Sequence, residues 1–462
     1  MTRSFDGDAI KRTAISELPS IGTLLFSGSL FVLGWWVVLQ WKSPLKVYPG
    51  PVLARYTNWW RFGKVRTGRY QLHMLELHDR YGPIVRIGPN LLDIDMHDVI
   101  KTVAVIDGMI TYQLFSEIDP VNHARMKRPI VKYFTMRNVL SKEILMDKVI
   151  KDMCEHLNTS FNDKDCDLGE WIAFCAWDIL GMMVFSQPFG YMDNGRDFDG
   201  TIGISDRALD YFAAVGQMPF LDYLLDKNPI VRIGPPNLGN ITRIAAEHLA
   251  NRLQGENIVQ ADVPDFLQHF IDAKSSRPEV TETDVLVNLL TTLIAGADTT
   301  AITIRTIFYY ALKSPDIYNR LESEILAAQL RQPAPYHLSR AIPYFEATVR
   351  EAMRIHPAVC MLLERYVPEP GLNLPDGSFI PAGTAIGVNP YVIGRNKKVW
   401  GSDADKFRPE RWLQGAKESD QAYHERMKLF NAADLTFGGG ARIKSMRIGV
   451  RGPSLSKTGT YV

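Results

Sequence analysis

Midway along the chain, Asp298 and Thr299 put a carboxylate beside an alcohol. A pair of this kind can hold a proton and pass it to an oxygen species bound next to it. The pair lies in Ala295-Gly296-Ala297-Asp298-Thr299-Thr300, within a run whose apolar residues recur with helical spacing: Val285, Leu286, Leu289, Leu290, Leu293 and Ile294. Thr281 with Asp284 reads as a capping-box variant at the start, and Ser314-Pro315 stops the far end. The predicted helix, Thr281 to Leu312, has about 32 residues and a length of roughly 48 Å, enough to cross a whole domain. Gly296 inside it costs about 1 kcal/mol against alanine, so something must offset it. Close approach of a flat ligand is one candidate. A threonine hydroxyl bonded back to the carbonyl four residues earlier would bend the helix and open a groove. The plain alternative is a buried helix with structural threonines.

Other chemistry-bearing residues are scattered. His123 and Lys127, after Asp119-Pro120, fall one helical turn apart and would clamp an anionic group on one face. The bland reading is a solvated basic stripe that includes Arg128. Glu351 and Arg354 share a helix face at three-residue spacing, a pair worth only a few tenths of a kcal/mol if exposed. Near the C-terminus, Phe437 precedes Gly438-Gly439-Gly440-Ala441-Arg442. Three successive glycines make neither helix nor strand; they let backbone pass close to something bulky.

Together these motifs resemble one family. Phe437 to Arg442, F-G-G-G-x-R, is similar to the opening of the haem-binding loop of the cytochromes P-450, the haem-thiolate monooxygenases. Ala295 to Thr299 resembles their A/G-G-x-D/E-T motif, and Glu351 to Arg354 their E-x-x-R. Phe407-Arg408-Pro409-Glu410-Arg411-Trp412 resembles the later segment that joins the E-x-x-R pair. The likeness runs from about Pro44 to Arg442, with the motifs in the family's order, and most resembles the filamentous-fungal branch that modifies secondary metabolites.

The resemblance implies a mostly α fold with small β-sheets, haem b as cofactor, dioxygen as co-substrate, and electrons from NADPH through a flavoprotein reductase. It implies that Asp298 and Thr299 are catalytic, supplying protons for dioxygen activation. It implies propionate contacts from His123, Lys127 or Arg128, Arg365 and Arg442, with Phe437 in the haem loop. Lys127 stands where the family usually has arginine; it keeps the charge and loses the bidentate fork. Glu351, Arg354 and Arg411 would be structural, holding the core under the haem. The apolar run Val359 to Leu363 would line a pocket for a lipophilic small molecule.

One departure is severe. Two residues beyond the loop arginine the family has the cysteine whose thiolate binds iron, and two further on a glycine. Here those positions hold Lys444 and Met446. The thiolate matters because its charge pushes electron density through iron and favours O–O cleavage. Lys444 offers a strongly hydrated ammonium instead, so no metal ligand is assigned. No cysteine follows Cys360. The tail from Ser445 to Val462 is rich in Gly, Ser, Lys and Arg and lacks an apolar stripe, where the family continues with a helix beneath the haem. The abrupt change after Ile443 reads as a frame change, a retained intron or a truncated gene copy. It predicts that apolar surface on the long helix loses its cover.

The elements that would position these residues follow from the rest of the chain. Its 462 residues are 46% hydrophobic and 10% aromatic, enough for a large core. Lys+Arg at 52 against Asp+Glu at 51 gives no bulk-charge argument for nucleic acid. Cys154, Cys166, Cys175 and Cys360 form no C-x-x-C pair and read as reduced thiols. No charge interrupts the stretch between Glu17 and Lys42, where Ile21 to Leu39 can span roughly 30 Å as a helix, with Trp35, Trp36 and Trp41 at the interfacial end. A cleaved signal would have a shorter apolar region of about 7–15 residues.

The expected division is a transmembrane anchor over residues 18–41 and a proline-rich linker over 42–51. A P-450-like domain then covers 52–443 and an aberrant tail 444–462. The resemblance puts the domain on the cytosolic side of the endoplasmic reticulum membrane, single-pass. Within it the spacing predicts a helix over Leu72 to Tyr81, then a β-hairpin of Ile84 to Ile87 and Leu91 to Ile94. Gly216 to Pro236 is an irregular apolar segment where the family has its membrane-facing entrance.

Two readings stand. In one, the chain is a membrane-anchored monooxygenase acting on a lipophilic small molecule. In the other it is a catalytically inactive, truncated pseudoenzyme or a haem-free binding protein, because the thiolate is absent.

Overall fold

The computed structural model describes residues 21–97, 120–225, 230–231, 234, 239–256, 263–362 and 364–438. Residues 18–20 of the expected anchor, Arg442 of the glycine loop, Lys444 and the tail lie outside the described residues. The longer helices are α1 (Ile21–Trp41), α2 (Trp59–Arg66), α3 (Tyr70–Tyr81), α4 (Pro120–Lys127), α5 (Glu143–Ser160), α6 (Leu168–Phe185) and α7 (Thr201–Val215). They continue with α8 (Gly239–Leu253), α9 (Phe266–Ser276), α10 (Glu282–Lys313), α11 (Pro315–Ala327), α12 (Pro343–Ile355) and α13 (Asp420–Ala433).

Helix α10 is the axis of the molecule. Its start is a complete capping box: the Asp284 N–H donates to Thr281 Oγ1 at 3.1 Å, and the Thr281 N–H donates to Asp284 Oδ2 at 2.8 Å. Its end is set by Pro315, which opens α11 at the next residue but one. The predicted bounds are displaced by a single residue at each end. Val285, Leu289, Leu293, Ala297 and Ala301 form its buried stripe at four-residue spacing. The stripe packs against α6, α8 and α9, while α11 and α12 cover other parts of the helix. Helix α6 is apolar all round and buried, with Asp167 capping it through the Glu170 N–H at 3.0 Å. Both α6 and α10 are long and apolar enough to cross a membrane, but α6 is a core helix of the domain.

The sheet is small. Strands β1 (Ile84–Gly88) and β2 (Leu91–Ile94) form the antiparallel hairpin that the sequence predicts. With β3 (Arg365–Tyr366) and β6 (Ala385–Gly387) they make a four-stranded sheet of order β1-β2-β6-β3, in which β2 and β6 run parallel. Strands β4 (Leu372–Asn373) and β5 (Phe379–Ile380) form a separate antiparallel pair. A core of Ile84, Leu92, Ile386, Trp400, Trp412 and Phe430 lies between sheet and α13. The whole is mostly α with small β-sheets, as expected.

The N-terminal segment behaves in two ways. Helix α1 presents Phe26, Leu30, Phe31 and Trp35 outward, with Phe31 73% exposed. The proline-rich stretch after it does not hang free. Leu45 and Tyr48 are buried, and the Tyr48 hydroxyl donates to the Phe379 carbonyl at 2.9 Å, tying the connector to β5. At the other end of the chain's core, Phe308, Tyr309 and Leu312 on the last turns of α10 are exposed, Leu312 by 61%.

Candidate active site on the central helix

The middle of α10 turns two different faces to its surroundings. Ala297 and Ala301 are buried, whereas Ala295 and Thr300 are exposed and Thr299 is half-buried. An exposed alanine halfway along a helix that crosses the domain marks an open face. The Thr299 hydroxyl donates to the Ala295 carbonyl at 2.9 Å, the back-bond expected from the sequence. It is not special to this site: Thr291, Thr292, Thr300, Thr303 and Thr306 each donate to the carbonyl four residues earlier. Such bonds satisfy the hydroxyls without a partner from outside the helix.

Gly296 has a packing neighbour that the sequence does not show. A Cβ there would lie 2.7 Å from Leu180 Cδ1 of α6. The glycine is explained by close packing of α10 on α6, and a flat ligand is not needed to account for it.

Asp298 makes its side-chain contact to another helix. Its Oδ2 accepts the Ser205 hydroxyl of α7 at 3.1 Å, and no hydrogen bond joins it to Thr299 among the described residues. The buried Trp177 indole N–H of α6 stands beside the carboxylate and favours its ionised form. Burial pushes the Asp298 carboxyl above the usual carboxylate range. The Ser205 bond opposes that shift, nearby Asp206 reinforces it, and Arg305 opposes it. Ser205 and Trp177 have no signal in the sequence, since each reaches the site only through helix packing.

The expected structural triad meets. Glu351 of α12 is fully buried and accepts five donors. Arg354 gives it Nε at 2.8 Å and Nη2 at 2.7 Å, and Arg411 gives Nε at 2.9 Å. The Arg408 N–H adds one at 2.8 Å, and the Trp412 indole one at 2.9 Å. The arginines then reach on to the carbonyls of Gly394, Trp400, Ala404 and Lys406. This stitches α12 to the loops from 394 to 412.

The residues expected to hold propionates stand on separate elements. His123 and Lys127 share the half-buried face of α4, while Arg128 is exposed and does not extend that face. Arg365 is half-buried in β3, and its Nη1 donates to the Glu364 carbonyl at 2.7 Å. Phe437 is half-buried in a turn begun by Asp434, whose Oδ1 accepts the Thr436 N–H at 3.0 Å. Gly438 follows with φ +72°, a left-handed conformation that favours glycine.

A cluster that the sequence does not reveal closes one end of α7. Arg61 of α2, buried, donates from Nε to Gln217 Oε1 at 2.8 Å and from Nη2 to Glu364 Oε1 at 2.6 Å.

Comparison with known proteins decides the family, since the family model of cytochrome P-450 matches residues 49–443. The chain belongs to the cytochrome P-450 family. It is 41% identical over 455 residues to cytochrome P-450 monooxygenase cfoH of Aspergillus candidus, covering 93% of this chain and 85% of that protein. Similarity to the monooxygenase mfmA of Annulohypoxylon moriforme is 30% over 465 residues, covering 93% and 87%. The monooxygenase mpaDE of Penicillium brevicompactum is 32% identical over 463 residues; the match covers 94% of this chain and 52% of that longer protein.

The P-450 family implies haem, and the described residues fit it at one surface. The open Ala295–Thr299 face and the exposed Val359 ahead of β3 are the small and apolar surfaces that a flat apolar ring would cover. The axial donor does not fit a haem-thiolate centre. Position 444 is lysine, and the last cysteine in the chain, Cys360, is a half-buried thiol pushed up to about 12 by desolvation, its Sγ donating to the Pro357 carbonyl. A neutral thiol held that way is no iron ligand.

Proposed function

We propose that this P-450 is a membrane-anchored, haem-dependent monooxygenase of fungal secondary metabolism that oxidises a lipophilic small molecule. The observation that carries the reading is a half-buried, desolvated carboxylate, Asp298, next to the open Ala295–Thr299 face at the centre of α10. Asp298 and Thr299 are its catalytic residues. Asp298 holds a proton at its carboxylate, and Thr299 offers an alcohol on the open face. His123, Lys127 and Arg365 hold propionates, joined by Arg442, and Phe437 flanks the haem. Glu351, Arg354 and Arg411 keep the supporting core rigid. Electrons come from NADPH through a flavoprotein reductase. Helix α1, with its outward phenylalanines and tryptophans, anchors the domain on the cytosolic face of the endoplasmic reticulum.

A second reading is favoured by one residue. With Lys444 in place of the thiolate, the chain is a non-catalytic relative that keeps the scaffold. Haem titration of the purified chain, with the reduced carbon monoxide spectrum recorded alongside, separates the two. The monooxygenase reading expects stoichiometric haem uptake, and a thiolate-type carbon monoxide band once Lys444→Cys is made together with the family's downstream helix. No haem uptake by either form would overturn it in favour of the second.

A further inference from the structure

Helix α7 carries Ser205 on its second turn and ends two residues before Gln217. Its buried positions are Thr201, Ser205, Ala208, Ala214 and Val215, all small or medium, whereas Leu209 and Phe212 are exposed. Little hydrophobic burial therefore fixes its register, and its polar ties matter more. One tie is Ser205 to Asp298. Thr201 ties the helix N-terminus to Asp199 and to Asn240 of α8, and the Tyr211 hydroxyl donates to Asp222. A further tie is at the opposite end. Gln217 folds back so that its Nε2 donates to the Ala213 carbonyl at 3.0 Å, and its Oε1 accepts Arg61. Arg61 in turn is ion-paired to Glu364 at 2.6 Å, next to Arg365 and the Val359–Leu363 run. Arg61, Gln217 and Glu364 come from α2, the turn after α7, and the start of β3, so a single guanidinium ties three distant segments together.

We propose that Ser205 is the positioning residue for Asp298, and that the Arg61–Gln217–Glu364 clasp holds α7 in the register that keeps the serine hydroxyl on that carboxylate. The functional weight of this coupling rests on the monooxygenase reading, in which Asp298 handles protons. The physical consequence does not need it. A hydroxyl donated to the ionised carboxylate favours that form. When α7 slides so that Ser205 leaves the carboxylate while the helix still covers it, the carboxylate loses its donor and keeps its desolvation, and its proton is held more tightly. Besides Ser205, the groups facing Asp298 are Trp177 from α6, Asp206 from α7 and Arg305 from α10 itself. None of these belongs to the clasp, so a clasp variant can act on Asp298 only by moving α7.

The test is an isotope-edited infrared titration of the full chain in detergent, without haem. The Asp298 carboxyl band is assigned by its loss in Asp298→Asn. Ser205→Ala should raise the titration midpoint by about one to two pH units, the worth of one hydrogen bond to a charged group. Ser205→Thr should restore it. Gln217→Leu, which leaves Ser205 intact, should raise it by a smaller amount. Ser205→Cys, a weaker donor of similar size, should fall between serine and alanine and serves if the alanine variant does not fold. An unmoved midpoint in Ser205→Ala or Ser205→Cys overturns the positioning role, and an unmoved midpoint in Gln217→Leu overturns the clasp. Because no haem is involved, failure of haem uptake would sink the monooxygenase reading and not this coupling.

Discussion

Replacing Glu351 by glutamine should be among the most damaging isosteric changes in this chain. The carboxylate is fully buried and receives two bonds from Arg354, one from Arg411, one from the Arg408 backbone and one from Trp412. Glutamine keeps the volume but removes the charge, and its amide nitrogen is a donor facing donors. Two guanidiniums, Arg354 and Arg411, then remain buried with carbonyl partners and one carboxylate, Asp403, 3.4 Å from Arg411. Removing one partner of a buried ion pair costs about 3–5 kcal/mol, a large part of the roughly 5–15 kcal/mol that separates a folded domain from its unfolded chain. The assay is chemical denaturation of the full chain in detergent. Trp400 and Trp412 are local reporters, since both border the network with ring centroids 5.5 Å apart. A control is Arg243→Ala, which breaks the exposed pair to Glu247 and should cost under about 1 kcal/mol. If Glu351→Gln shifts stability no more than that control, the claim that the network is a buried electrostatic unit is wrong.

Three further expectations can be measured. Gly296→Val should cost about 1–3 kcal/mol by overpacking Leu180, which stands 2.7 Å from the position of the new Cβ, and Leu180→Ala in the same chain should recover part of the loss in thermal unfolding. Burial raises the Asp298 carboxyl above its unfolded value of 3.8, so the native state binds the extra proton between the two values. Stability should therefore fall as pH rises from about 3.8 through the raised native value, and Asp298→Asn should flatten that part of the pH profile of unfolding. Asn158-Thr159-Ser160, exposed at the end of α5, and Asn240-Ile241-Thr242 are both acceptor sequences for N-glycosylation. A domain on the cytosolic side leaves both bare, and a glycosidase-sensitive mobility shift of the chain expressed in a fungal host would reverse the proposed topology.

What the sequence discloses and what it hides divide along a physical line. The bounds of α10 follow from signals within a few residues of each end: a threonine that caps, an aspartate that answers it, and a proline that cannot continue the ladder. The β1–β2 hairpin follows in the same way from two apolar runs around Gly88-Pro89-Asn90. Glu351 and Arg354 are legible as a pair because the helix brings them together, but the burial that makes the pair strong depends on Arg408, Arg411 and Trp412, which arrive through the fold. Gly296 shows the converse error. Its cost in a helix is readable, yet the residue that repays it, Leu180, lies on another helix and leaves no periodic mark.

Ser205 is the hardest case, and the reason is general. It occupies a buried turn of α7 where alanine would pack as well, and its partner Asp298 lies 93 residues away. A small hydroxyl residue on an apolar helix face satisfies the hydrophobic pattern and the polar contact together, so neither periodicity nor composition separates a structural serine from one that sets the protonation of an acid. Charge is what makes such sites visible in the structure: Arg61 is buried on α2 and leads to the clasp at the far end of α7, the helix that carries Ser205. Where a neutral donor and a charged clasp act on one element, the charged member is the one to find first, and the neutral member follows from asking what that element carries at its other end.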